Sequence, residues 1–291
     1  MPPLPTDRSF AIPEQYAGLI LHDSGPGNDR ILIMGHRQLL TGLERSTVWL
    51  ADGTFKVVSC IYFQLYSIHF QFTGGINPPA VYCLLPDKSR VTYDRMIAAV
   101  RVLVPNAAPD FILTDFEMAA MNAFREAYPE SEISGCHFHL CQSVLRKVND
   151  VGLKADYEVD DEIRNFVRYL MALSHVPVGD VPDIFDAMVD HSMPQNEKVE
   201  EVTTYFERTY IRGRRRPGCT EQYQPAIFPP VVWNKFQEAA DGIALTTNSV
   251  EGWHYSLQSL FMCHLKVPQC GLSGKGYTEI ASCISLLSCK L

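Results

Sequence analysis

The feature that most constrains the fold is a series of short apolar runs, divided by turn residues, between Ile31 and Gly135. Ile31 to Met34, Thr47 to Leu50, Ile61 to Phe72 and Val81 to Leu85 have the length and the β-branched and aromatic content of strands. The period then changes. Between Arg90 and Val104 the apolar residues Tyr93, Met96, Ile97, Val100, Leu103 and Val104 recur at helical spacing and stop at Pro105. A strand is expected at Phe111 to Leu113, a helix over 116–128 closed by Pro129, and a short strand at Ile133 to Gly135. Strands first, then helix and strand in alternation, predict an α/β fold built on a mixed sheet with flanking helices.

The rest of the chain divides around this core. Residues 1–30, rich in Pro, Gly and Asp, read as a loose N-terminal lead-in, and 31–149 as the first part of the core. From 150 to 246 the texture is helical and acidic, opening on Asp156, Glu158, Asp160, Asp161 and Glu162, and reads as a helical insertion. Residues 247–265 are expected to form a final core helix, and 266–291 an atypical tail rich in Ser and Cys. With 25 Lys and Arg against 33 Asp and Glu, the net charge of −8 excludes a generic basic nucleic-acid binder, so any phosphate contact must come from a local patch. Nine scattered cysteines offer no disulfide framework and fit a reducing compartment. No run of about 18 apolar residues and no charged leader with an apolar core occurs, so neither membrane spanning nor secretion is expected.

Three carboxylates stand out, and each has a structural and a chemical reading. Asp52, followed by Gly53 between alternating apolar residues, suits a two-residue hairpin turn. Asp115 follows a buried strand, where open sheets carry their sites, yet Thr114-x-x-Glu117 also spells a capping box for the next helix. Glu251 lies three residues beyond Asn248, a capping arrangement of the same kind. On the helix expected from Ser249 to Phe261, Val250, Trp253, Leu257, Leu260 and Phe261 share one apolar arc. Glu251, Tyr255 and Gln258 fall on the adjacent polar stripe, which sets Glu251 at the margin of the core. Two Asp on neighbouring strands and a Glu on a packed helix could hold two hard cations about 4 Å apart, because oxygen ligands suit magnesium and manganese.

The order of six short motifs links these residues. Trp49-Leu-Ala-Asp52-Gly53-Thr54-Phe55-Lys56, Phe63-Gln64-Leu65-Tyr66-Ser67-Ile68-His69, Leu84-Leu85-Pro86-Asp87-Lys88, Thr114-Asp115-Phe116-Glu117, Gly135-Cys136-His137-Phe138-His139-Leu140-Cys141-Gln142 and Asn248-Ser249-x-Glu251-Gly252-x-His254 follow one another over residues 30–265. This succession resembles the transposase domain of Mutator-like elements, within the DDE-type transposase and integrase superfamily. The resemblance implies a ribonuclease H-like core interrupted by a helical insertion. It implies a catalytic and metal-binding triad of Asp52, Asp115 and Glu251, with the first Asp on the first core strand, the second just after the fourth, and the Glu on a late helix. It further implies two Mg2+ or Mn2+ ions, metal-dependent cleavage of transposon ends, strand transfer into target DNA, and a nuclear location. The partners implied are transposon-end and target DNA, with no membrane, and room is left for a homo-oligomer.

Cys136 and His139 match a Cys-x-x-His signature of the same family. Zinc is disfavoured there, because a tetrahedral site needs four ligands and no second pair with clear spacing follows. His254, one turn beyond Glu251, reads either as a group that orients a metal-bound phosphate or as a helix-surface histidine. Arg212, Arg214, Arg215 and Arg216 form the strongest cationic run, suited to sequence-independent, salt-sensitive contacts with DNA phosphates or to a solvated loop. Only about 30 residues precede the core, where such proteins often carry a zinc finger or similar DNA-binding module, and the segment from Gly271 matches nothing in the family and reads as a truncated end. The functional expectation is a DDE-type catalytic transposase domain, with a degenerate or domesticated form left open. The alternative is a transposase-derived DNA- or protein-binding protein without catalysis.

Overall fold

The apolar runs pair side by side into one mixed sheet. The computed structural model describes residues 6–55, 58, 61–72, 76–214, 223–244 and 246–255. Its strands are β1 (Ile20–Asp23), β2 (Leu32–Gly35), β3 (Val48–Thr54), β4 (Gln64–Phe70), β5 (Pro79–Leu85), β6 (Phe111–Thr114) and β7 (Glu132–Gly135), in the sheet order β1-β2-β5-β4-β3-β6-β7. The pairs β1–β2, β2–β5, β5–β4 and β4–β3 are antiparallel, and β3–β6 is parallel. The helices are α1 (Arg37–Arg45), α2 (Arg90–Leu103), α3 (Met118–Ala127), α4 (His137–Asp150), α5 (Lys154–Val159), α6 (Asp161–Ala172), α7 (Val181–Ser192), α8 (Glu197–Phe206), α9 (Pro230–Trp233) and α10 (Phe236–Asp241). A further helix occupies 248–255. The architecture is the ribonuclease H-like α/β fold, a mixed sheet with flanking helices.

Every residue of β4 and β5 is buried, so both faces of the central strands are covered. On one face Leu32, Met34, Leu65, Tyr82 and Leu84, which alternate along their strands, form an apolar cluster with Ile61 and Tyr62. Trp253 and the N-terminal residues Phe10, Ile12, Tyr16 and Ile20 pack on that cluster. On the other face Tyr93 of α2 meets Tyr66 edge-on, and Gln64 Nε2 donates to the Tyr93 hydroxyl at 2.7 Å. The residues between β5 and α2 end on Ser89, whose hydroxyl accepts from the Thr92 amide and caps the helix.

Within the segment expected to be a loose lead-in, residues 6–30 are instead ordered from within. Arg30 is 2% exposed; it pairs with Asp23 at 2.6 Å and donates to the carbonyls of Arg8 and Phe10. One buried guanidinium therefore gathers a polar stretch that hydrophobic periodicity does not reveal. Helix α1 also escapes the pattern, because only Leu40 and Leu43 of its nine residues are buried.

The chain divides into two compact units, 1–133 with 247–291 and 134–246. The second unit thus begins before residue 150, the start expected for the insertion, because α4 packs on α6 and α8. Its core gathers Phe166, Phe185, Phe206, Tyr210 and Trp233. Trp233 Nε1 donates to the carbonyls of Tyr210 and Phe228, which fixes the turn after α8. Within the same unit Lys235, fully buried, pairs with Glu238 at 2.9 Å.

Candidate active site

Asp52 and Gly53 do not turn the chain. Both lie inside β3, where Asp52 is paired with Ser67 and Gly53 with Tyr66 of β4. The glycine fits a crowded surface: a Cβ there would lie 2.8 Å from Gln64 Oε1 and 3.2 Å from the Tyr66 ring. Asp52, 4% exposed, is consequently a carboxylate set into an otherwise apolar strand centre.

Asp115 follows β6 immediately. Leu113 is registered against Leu50 in the parallel β3–β6 pair, so the same register carried two residues further sets Asp115 beside Asp52. The expected capping box is absent, because α3 begins only at Met118 and its cap residue Glu117 accepts no capping bond. Instead the Glu117 amide donates to Asp115 Oδ1 at 3.3 Å, and Thr114 Oγ1 donates to the Asp115 carbonyl at 2.7 Å. The side chain of Asp115 therefore stabilises the turn that ends the strand. Glu117 turns to Lys88, 3.2 Å away.

Glu251 is presented by the helix at 248–255. Its amide donates to the Thr247 carbonyl at 2.9 Å, so the helix opens one residue earlier than a cap at Asn248 requires. Val250 is fully buried and Trp253 stacks on Tyr82 with ring centroids 6.4 Å apart, which turns this face of the helix to the sheet and leaves Glu251 half-buried. Leu257, Gln258, Leu260 and Phe261, expected on the same helix, lie outside the described residues. An Asp52 oxygen and a Glu251 oxygen lie within 4.8 Å of each other.

The electrostatics follow from this crowding. Burial pushes the Asp115 carboxyl up to about 7, and the negative charges of Asp52 and Glu117 add to the effect. Burial, then the Asp52 charge, also raises Glu251 to about 7. Asp52 is the group common to both. Asp52 and Glu251 offer hard oxygen donors within reach of one another, with Asp115 carried beside Asp52 by the strand register, and such donors fit a divalent cation, whose positive charge would favour the ionised carboxylates.

Residues 48–143 match the MULE transposase domain.

The match covers β3 through the first half of α4, and Asp52, Asp115, Cys136 and His139 fall inside it. Glu251, His254 and the arginine run lie beyond it. No curated protein matches the chain. DDE-type domains generally use divalent metals, and a MULE domain implies DNA binding in general. Among the described residues no helix is long and apolar enough to cross a membrane.

The remaining candidates separate. His254 is not a surface histidine: it is 7% exposed, with Nδ1 3.3 Å from Asp52 Oδ2 and Nε2 2.9 Å from Ser67 Oγ. Cys136 is a buried thiol at the N-cap of α4, and His139 lies half-buried in the first turn of that helix. Both belong to the second unit. Arg212 is not a solvated phosphate donor either. Its guanidinium is bound by both carboxylate oxygens of Asp186 and by Glu207 at 2.7 Å, and it lies over the Tyr223 ring at 4.6 Å. Arg214 is exposed, and Arg215 and Arg216 lie outside the described residues. Ser67 and His69 had no assigned role in the sequence reading. The signal for them is two polar residues at alternate positions of a strand that is buried throughout.

Proposed function

We propose that this chain is the catalytic core of a Mutator-like, DDE-type transposase that cleaves transposon ends and transfers the strand to target DNA. Asp52, Asp115 and Glu251 are the triad, and two Mg2+ or Mn2+ ions are the cofactor. The observation that carries the reading is the approach of Asp52 and Glu251, from distant parts of the sequence, to within 4.8 Å. When bound, such ions polarise the phosphodiester and lower the pKa of the attacking water or 3′-hydroxyl. The protein's own part is to hold three carboxylates on β3, at the end of β6 and on the final helix. Asp115 and Glu251 give up the protons that burial and the Asp52 charge retain near neutral pH. No side chain has to act as nucleophile, since both steps are in-line phosphoryl transfers to an oxygen of water or DNA. Arg214, with Arg215 and Arg216, contributes sequence-independent phosphate contacts, and the substrate makes the nucleus the site of action.

The test is cleavage and strand transfer by the purified chain on labelled terminal-repeat DNA with Mg2+ or Mn2+. Asp52→Asn, Asp115→Asn and Glu251→Gln are each expected to lower the rate by about 10³-fold or more, the size of several kcal/mol of lost charge stabilisation. Absence of cleavage, or cleavage unchanged in Asp52→Asn, would refute the proposal. Salt-sensitive DNA binding that persists without cleavage would favour a transposase-derived binding protein instead.

A further inference from the structure

β4 carries a buried polar chain that the triad does not account for. His69 Nδ1 lies 2.9 Å from the Asn77 carbonyl, His69 Nε2 3.1 Å from Ser67 Oγ, and Ser67 Oγ 2.9 Å from His254 Nε2. His254 Nδ1 then reaches Asp52 Oδ2 at 3.3 Å. Ser67 and His69 are fully buried, and His254 nearly so.

The direction of each bond can be assigned. A carbonyl only accepts, so His69 carries its proton on Nδ1. Burial holds this ring down to about 3, so no second proton resides on Nε2, which therefore accepts. The Ser67 hydroxyl donates its one proton to that nitrogen, and its oxygen is left to accept from His254 Nε2–H. With Nε2 committed, His254 presents Nδ1 to Asp52 Oδ2, which completes the chain.

The same residues tie the final helix to the strand at a second point. The Asn77 side-chain amide donates to Ser249 Oγ at 2.8 Å, five residues before His254 on that helix. Ser67 is also the direct cross-strand partner of Asp52. A carboxylate's last torsion is broad and nearly two-fold, so its contacts decide how it is turned; His254 Nδ1, 3.3 Å from Oδ2, is one such contact of Asp52.

We infer that His254, braced by Ser67, His69 and Asn77, is a positioning residue for Asp52 that fixes how this carboxylate is offered to a divalent cation. The inference rests on the reading of Asp52 as a metal ligand, and the test separates the two. Mn2+ affinity of the full chain is measured by the electron paramagnetic resonance signal of the unbound ion, and ring-nitrogen spectra of 15N-histidine-labelled protein are recorded without metal.

Asp52→Asn should abolish tight Mn2+ binding. Ser67→Ala, which removes one buried oxygen, and His254→Ala should each weaken it by about 10-fold or more, the usual effect of removing a group that orients a ligand. His254→Asn, which keeps a polar side chain beside Asp52, should recover most of the His254→Ala loss. The metal-free His254 signals should shift in Ser67→Ala.

If Asp52→Asn abolishes binding while Ser67→Ala and His254→Ala match the unsubstituted chain, the brace is refuted and the metal reading stands. If Asp52→Asn leaves Mn2+ affinity unchanged, the metal reading falls and takes the cation role of the brace with it. His254 signals unmoved by Ser67→Ala would refute the hydrogen-bonded chain whatever the metal does.

Discussion

A carboxyl group that titrates near neutral pH inside a folded protein makes that protein sensitive to pH, and Asp115 is such a group. Unfolded, it ionises near 3.8; folded, near 7. Between these values the folded state holds a proton that the unfolded state has released, so the contribution of Asp115 to stability is intact below about pH 4 and is lost as pH rises to about 7. Asp115→Asn removes this loss. In the presence of EDTA, its stability relative to the unsubstituted chain should therefore rise between pH 4 and pH 8, by on the order of 4 kcal/mol in urea unfolding. A constant difference across that range would mean that Asp115 is not held in a charge-averse position. His69, which burial drives the other way, to about 3, is common to both proteins and cancels in the comparison.

At the scale of elements, Arg212 and Arg214 sit two residues apart on the connection after α8 yet face different fates. Arg212 clamps Asp186 of α7 to Glu207 at the turn after α8, whereas Arg214 is exposed. Arg212→Ala is expected to lower unfolding stability by about 1–3 kcal/mol, because two partly buried carboxylates lose their partner. Arg214→Ala should leave the unfolding midpoint unchanged and reduce the salt dependence of DNA binding by about one phosphate contact. Equal effects of both substitutions on DNA binding alone would contradict the clamp.

Sequence periodicity located β2 to β7 and the helices α2 and α3 to within a few residues, since each buries a regular apolar face, and gave the stretch from 150 to 246 only as helical in texture. It missed β1 and α1, which are ordered by one buried arginine and by two leucines. The site was legible in part. The motif order singled out Asp52, Asp115 and Glu251, but local rules assigned them to a turn and two caps, because pairing across strands is invisible in a short window. Ser67 and His69 show the same limit: their role comes from Asn77 and His254, one beyond a strand end and the other on a helix far along the chain.

At the scale of the whole molecule, the sheet unit is discontinuous in sequence, made of 1–133 and the stretch from 247 onward. The returning stretch brings Val250 and Trp253 to the sheet along with Glu251. A chain ended after Thr246 would uncover the apolar cluster around Tyr82 and Leu65, whose partners include Trp253. Such a truncation should bind the dye ANS and unfold at lower temperature even without metal. A truncated chain that melts like the full one would show that the final helix serves chemistry alone.

The pairing of Asp52 with Ser67 sets a counting rule for sequences built on this plan. Side chains along a strand point alternately to its two faces, so Asp52 and Ser67 look the same way while Gly53 and Tyr66 look the other. A residue added in the connection from β3 to β4 leaves that phase alone. A residue added between Val48 and Asp52 reverses it, and the carboxylate would be pressed into the layer of Tyr66 and Tyr93, away from His254. The number of residues separating one acid from the next is thus free to drift, while the count from Asp52 back to the start of β3 must keep its parity.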